Sequence, residues 1–228
     1  MKRVRFGGIQ KTSLIDFPDR IATVLFTPGC NLRCPYCHNW RLVLEPKGPF
    51  LSEEDALQIL ESQRRFVDAV VITGGEPTMH KDIPLFLEKL KQRGFTVKLD
   101  TNGFFPEVLE RCLPYLDYVA VDVKTCPERY RLLGAADMGG FLRTIEVLKK
   151  GSVDYEFRNT VVPGIVEEEC IPRMGELVKG AKRFAFQQFV PRDTLDKGFN
   201  TVNPYSPETI IHFADMMSHY SEDVKLRL

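Results

Sequence analysis

"FTVKLDTNGFFPEVLERCLPYLDYVAVDVK", residues 95–124, reads in turn as a strand, a loop, a helix and a second strand. FTVKLDT carries apolar Phe95, Val97 and Leu99 and ends on polar residues. PEVLERCLPYL carries apolar residues at helical spacing behind a proline, and YVAVDVK is another short apolar run. A strand that returns to the same sheet after a helix does so by a right-handed crossover and lies parallel to the first. The alternation continues on either side. Upstream are the strand RIATVLFT (20–27), the capped helix SEEDALQILESQRRF (52–66), the strand DAVVIT (68–73) and the helix DIPLFLEKLKQRG (82–94), which closes on a glycine. Downstream, helical stretches at 127–133 and 139–149 lead to DYEFRNTVV, then EEECIPRMGELVKG, then RFAFQQFV. The last helix is SPETIIHFADMMSHY, and VKLRL reads as a terminal strand.

Six β/α units, preceded by a small hairpin at residues 3–16, leave a doubly wound sheet or a (β/α) barrel. A complete eight-unit barrel takes about 250 residues, so the 228 residues here predict an α/β fold of the partial (β/α)6 barrel type, open on one side. No repeat, linker or low-complexity tract divides the chain, which reads as one domain over 1–228, with 1–19 an N-terminal extension or hairpin. Both candidate folds gather their chemistry at the carboxyl ends of the strands. The cysteine loop, GGEP (74–77), DTNG (100–103), DVK (122–124), RNTVVPG (158–164) and QQFVPR (187–192) all fall at predicted strand ends.

With 43% hydrophobic and 27% charged residues the chain can bury a substantial core. Lys plus Arg and Asp plus Glu both total 31, so no net field draws it to nucleic acid or an anionic membrane. The basic start MKRVRFGGIQKTS has no apolar run behind it, and no stretch approaches the roughly 18 apolar residues of a membrane span. A cytoplasmic protein with neither membrane nor nucleic-acid partner is expected.

TPGCNLRCPYCHNW (27–40) holds Cys30, Cys34 and Cys37, half of the six cysteines. With no signal peptide and with Cys112, Cys126 and Cys170 scattered singly, metal or redox chemistry is favoured over disulfides. Zinc wants four closed ligands. No fourth cysteine lies nearby, and His38 adjoins Cys37, badly placed to complete a tetrahedron. A four-iron cluster on three thiolates keeps one iron open to another ligand. Cys112, Cys126 and Cys170 read as buried or incidental, with no essential role.

The Cys-x-x-x-Cys-x-x-Cys spacing, an aromatic before its last cysteine, and TGGEP after the next strand together resemble the radical S-adenosylmethionine (SAM) superfamily. The resemblance implies a [4Fe–4S] cluster on Cys30, Cys34 and Cys37 whose open iron binds SAM. The reduced cluster then cleaves SAM to methionine and a 5′-deoxyadenosyl radical, so no catalytic acid, base or nucleophile is expected from the chain. It further implies that Gly74 and Gly75 let backbone approach the methionine part of SAM, that Glu76 meets its ammonium, and that Tyr36 lies against the adenine. A glycine turn capped by Pro77 and a packed loop tyrosine are the plainer readings. DTNG and DVK resemble the activating enzyme of pyruvate formate-lyase, in which the aspartates matching Asp100 and Asp122 help bind a monovalent cation and the residue matching Lys124 contacts SAM. By the same likeness Arg158 faces the SAM pocket. A helix cap for Asp100, an Asp122–Lys124 ion pair and a surface Arg158 are the structural alternatives. At the sixth strand those activases carry a histidine where this chain reads QQFVPRDTLD, leaving Gln188 or Arg192 to serve.

Residues 7–40, GGIQKTSLIDFPDRIATVLFTPGCNLRCPYCHNW, resemble the start of the anaerobic ribonucleoside-triphosphate reductase activating proteins. The resemblance implies an anaerobic oxidoreductase that takes hydrogen from a backbone glycine of a partner glycyl radical enzyme, with that reductase foremost. A flavodoxin- or ferredoxin-type protein would donate the electron. An activase of another glycyl radical enzyme, and a small-molecule radical enzyme resembling the carboxy-deazaguanine synthases, stay open. Trp40 is expected to pack over the cysteine loop or anchor a partner, and His80 to be a first-turn helix residue.

Overall fold

The computed structural model describes residues 4–151 and 153–228. Eight strands follow one another in the sheet in chain order: β1 (Gly8–Phe17), β2 (Arg20–Thr27), β3 (Ala69–Gly74), β4 (Thr96–Thr101), β5 (Tyr118–Asp122), β6 (Asp154–Val161), β7 (Phe184–Gln188) and β8 (Val224–Arg227). β1 runs antiparallel to β2; β2–β3, β3–β4, β6–β7 and β7–β8 are parallel. Helices α2 (Glu53–Gln63), α3 (Ile83–Gln92), α4 (Pro106–Cys112), α5 (Gly139–Lys150), α6 (Cys170–Val178) and α7 (Pro207–Met217) form the connections, after a short α1 (Trp40–Leu44). This is the α/β succession expected of a partial (β/α)6 barrel, with β8 as a further parallel strand.

The chain forms two compact units, neither continuous in sequence. The first holds the described residues up to Cys30, Asn39–Thr101 and Phe105–Val119. Its core is the aliphatic interior of β2 to β4, including Val24, Val70, Ile72, Val97 and Leu99, all fully buried. Helix α3 supplies Phe86, Leu87 and Leu90 from one face, each contributing about 1.5–3 kcal/mol by leaving water. Ser52 caps α2 in a reciprocal box with Asp55, which fixes where the helix begins. Thr27 stands opposite Gly74 in the parallel register, so the cysteine loop and GGEP leave the sheet side by side.

The second unit holds Asn31–His38, Asn102–Phe104 and Ala120–Leu228. Its core joins Phe157, Phe184 and Phe186 of the strands to Phe141, Leu148, Met174 and Phe213 of the helices. Val161 stands opposite Gln188, aligning the ends of β6 and β7.

Local details depart from the sequence reading. Residue 3 of the hairpin expected at 3–16 lies outside the described residues; the observed strand runs over Gly8–Phe17 and pairs with β2 through a turn in which Asp19 takes φ 58°. α2 ends at Gln63, three residues short of the expected end, and the stretch at 127–133 is a 3-10 turn. No helix among the described residues is long and apolar enough to cross a membrane.

Candidate functional site

In the first unit, the start of the cysteine loop is tied to the end of β3. Gly75 N donates to Thr27 O and Glu76 N to Gly29 O, both at 2.8 Å, and Asn39 Nδ2 donates to Gly74 O at 3.0 Å. The backbones approach so closely that a Cβ on Gly75 would lie 1.8 Å from Gly29 O, and one on Gly74, at φ 116°, 2.4 Å from Thr27 N. The need for glycine at both positions is therefore already present in the chain's own packing. Cys30, half-buried, is the last residue of this ledge.

Glu76 is fully buried. Its Oε1 accepts from Thr78 N at 2.9 Å, from Thr101 Oγ1 at 2.6 Å and from Thr78 Oγ1. Asp100 is buried against Lys98, with Nζ to Oδ1 at 2.6 Å and exposures of 2% and 6%; Lys98 Nζ also donates to Asp16 O at 2.6 Å. Asp100 is thus half of a buried ion pair, rather than a helix cap. Lys98 is the neighbour sequence reasoning missed. Its signal is the alternation Lys-Leu-Asp, which puts 98 and 100 on one face of the strand. His80 is no first-turn helix residue: it ends the 3-10 turn Pro77–Met79 ahead of α3, and its Nε2 is 2.9 Å from Pro28 O.

In the second unit, Cys34 and Cys37 share one turn, closed by Cys37 N to Cys34 O at 3.1 Å. Three backbone bonds hold it: Arg33 N to Leu133 O, Leu195 N to Cys37 O and Asp196 N to Pro35 O. Burial pushes the Cys34 thiol above its ordinary value, against the pull of the Lys124 ammonium. Tyr36 is buried with its ring edge-on to Phe189 at 6.4 Å; burial, with Cys34 beside it, holds its hydroxyl well above the ordinary range. Asn102 Nδ2 donates to Asn31 Oδ1 at 2.7 Å, so the DTNG turn also supports the loop.

Asp122, Lys124 and Arg158 meet. Arg158 Nε lies 2.5 Å from Asp122 Oδ1 and Lys124 Nζ 3.0 Å from Oδ2. Burial alone would raise the Asp122 carboxyl, but Arg158 and then Lys124 hold it well below the usual carboxylate range. Lys124 is held well above its ordinary value, chiefly by Asp122 against the opposing effect of burial. Arg158 is half-buried within β6, and the Asp122–Lys124 pair of the structural alternative is present. Replacing Asp122 with Asn is expected to destabilise the metal-free chain by about 1–3 kcal/mol at neutral pH, less than for a wholly buried pair because the carboxylate keeps 26% of its exposure. The folded carboxyl titrates below its unfolded value of about 3.9, so this stabilisation is complete above that pH and is lost as pH falls towards the folded value. Thermal melts of both chains from pH 7 downward should converge in acid; a constant offset would refute the ion-pair origin.

Cys30 therefore belongs to one unit, and Cys34 and Cys37 to the other. Among the described residues, no three or more His, Cys, Asp or Glu side chains are grouped as they would be around a metal ion. Gln188, half-buried, donates from Nε2 to Tyr205 O at 3.2 Å, whereas Arg192 is exposed. Trp40 is half-buried at the start of α1, with the Arg41 guanidinium 4.3 Å from its ring centre.

Residues 24–174 match the model of the radical SAM superfamily. A protein of Methanocaldococcus jannaschii that carries the name of a glycyl-radical enzyme activating enzyme by similarity of sequence is 36% identical, over 97% of this chain and 95% of its own. The pyruvate formate-lyase-activating enzyme of Clostridium pasteurianum is 27% identical over 84% of this chain and 83% of its own. Among solved structures, Streptococcus suis SuiB bound to S-adenosylmethionine superposes with a TM-score of 0.67 at 15% identity, covering 89% of this chain and 51% of that one, a likeness of fold alone.

Proposed function

Because the chain belongs to the radical SAM superfamily, we propose that its cluster is held by Cys30, Cys34 and Cys37 and that its partner is an anaerobic ribonucleoside-triphosphate reductase. The protein is a radical SAM enzyme that activates glycyl radical enzymes, and its cofactors are a [4Fe–4S] cluster and SAM. The observation that carries this reading is the 36% identity running through 97% of the chain. The choice of partner rests on residues 7–40 and on the missing sixth-strand histidine.

When bound, cluster and SAM supply a one-electron cleavage that makes a radical able to take hydrogen from carbon. The chain's part is to hold them. Three thiols within eight positions are a soft donor set suited to iron, and the charge of the metal is what lets a buried group such as Cys34 persist as thiolate. In this reading Asp122 orients Lys124 and Arg158 towards SAM. Gly74 and Gly75 offer it backbone, Glu76 and Asp100 line its polar end, and Tyr36 lies near its adenine. A monovalent cation would meet carboxylates that already have cationic partners. No group need act as acid or base, since hydrogen leaves the partner's glycine as an atom. The reading also takes the chain as one radical SAM core domain, working in the cytoplasm with a flavodoxin- or ferredoxin-type donor.

The test is electron paramagnetic resonance on the reconstituted, reduced protein mixed anaerobically with SAM and the reductase of the same organism. A doublet from the glycine α-hydrogen is expected, and it should collapse to a singlet when the reductase carries deuterated glycine. SAM cleavage without that doublet would overturn the choice of partner.

A further inference from the structure

Two buried thiols outside the proposed cofactor site face each other. Cys126, at the mouth of the 3-10 turn Pro127–Leu133, and Cys170, the first residue of α6, are 44 positions apart in sequence, yet their sulfurs are 2.7 Å apart. Both are free thiols, exposed by only 3% and 0%. Their approach does not depend on the sulfurs alone. Thr125 Oγ1 donates to Ile165 O at 2.6 Å, Arg129 pairs with Glu169 at 3.2 Å and reaches Gly164 O at 3.4 Å, and Arg173 pairs with Glu128. These bonds clasp the segment after β5 to the segment between β6 and α6 and to the first turn of α6, on both sides of the cysteines.

We propose that Cys126 and Cys170 are an oxidation site, converted by a small peroxide into a disulfide that staples the segment following Lys124 to the start of α6. One thiol, as thiolate, attacks a peroxide oxygen and becomes a sulfenic acid as water leaves. The second thiol attacks that sulfur, forming the S–S bond and releasing a second water. The two thiols lose two electrons and two protons in all, and one hydrogen peroxide becomes two waters. Burial pushes the Cys126 thiol up to about 12, so few molecules carry the thiolate at neutral pH. The first step is accordingly slow and suits a small oxidant rather than a bulky one. Because the sulfurs already face each other, the bond forms within the folded chain. It closes a long loop and chiefly restricts the unfolded state.

The cluster-loaded full-length protein is titrated with hydrogen peroxide, quenched with an alkylating reagent, digested without reduction and mapped by mass spectrometry. The expected product is one pair of peptides joined through Cys126 and Cys170, two hydrogens lighter than their sum and released by dithiothreitol. The thermal midpoint of the wild type should rise on oxidation by about 5 °C or more, and that of Cys170→Ser should not. Recovery of both cysteines alkylated, oxidation of either one singly, or linkage of either to another cysteine would overturn the proposal. The wild-type map decides the matter even if the variant fails to fold.

Discussion

Cys34→Ala is expected to abolish cluster-bound iron and SAM cleavage together. On the proposed assignment the loop supplies three thiolates, with no fourth cysteine nearby in sequence, so losing one would leave only two of the cluster's three protein ligands. Cys34 is also the buried member of the set, enclosed by the turn that Leu133, Leu195 and Asp196 hold, which leaves little room for a substitute ligand. The measurement is iron and sulfide content after anaerobic reconstitution, with release of 5′-deoxyadenosine under strong reductant. Cys112→Ala is the matched control. That thiol is fully buried on α4, outside the cysteine loop, so its loss removes packing but none of the proposed ligands. Cleavage that persists in Cys34→Ala would defeat the ligand assignment.

Gly75→Ala is expected to be as damaging by a different route. The added methyl would sit 1.8 Å from Gly29 O, well inside contact distance and against backbone that cannot rotate away. Relief requires breaking the Gly75 N to Thr27 O and Glu76 N to Gly29 O bonds, which hold the ledge ending in Cys30. A loss of about 3 kcal/mol or more is expected, from two hydrogen bonds and backbone displacement combined. Denaturant titration measures it. Reconstitution under stabilising conditions should show reduced iron even in molecules that stay folded. Gly164→Ala is the comparison: at φ 84° it is strained, but no atom lies within 4 Å of the added carbon, and a cost of only about 1 kcal/mol is expected. Equal losses at the two positions would mean that steric contact with Gly29 is not the cause.

The fold was legible in sequence because a buried parallel strand and an amphipathic helix write different periods into the chain, as VVIT followed by IPLFLEKL shows. The polar strand ends were legible for the same reason, since Gly74, Thr101, Asp122 and Gln188 each close a strand. What remained hidden depends on partners distant in sequence. The Lys-Leu-Asp alternation puts Lys98 beside Asp100, but the hold of Asp16 O on that lysine follows from how β1 lies along the sheet. The five-residue α1 is too short to show a period. Cys126 and Cys170 looked incidental because sequence gives no distance between residues 44 apart. The glycines of GGEP were singled out for a ligand; the packing duty they have towards the loop that precedes them rests on Thr27 and Gly29, far upstream in the chain, and so was not legible.

The strand order bears on how the protein is made. Each strand from β2 to β8 lies beside the one synthesised just before it, so a partner edge is already waiting whenever a new strand leaves the ribosome. A doubly wound sheet, whose order reverses at its centre, must instead hold an edge open until much later chain arrives. Sequential pairing keeps contacting residues closer in the chain, which favours fast folding and shortens the exposure of unpaired edges to aggregation. For a chain with six cysteines, rapid vectorial assembly leaves less time for thiols of the unfolded chain to find one another first.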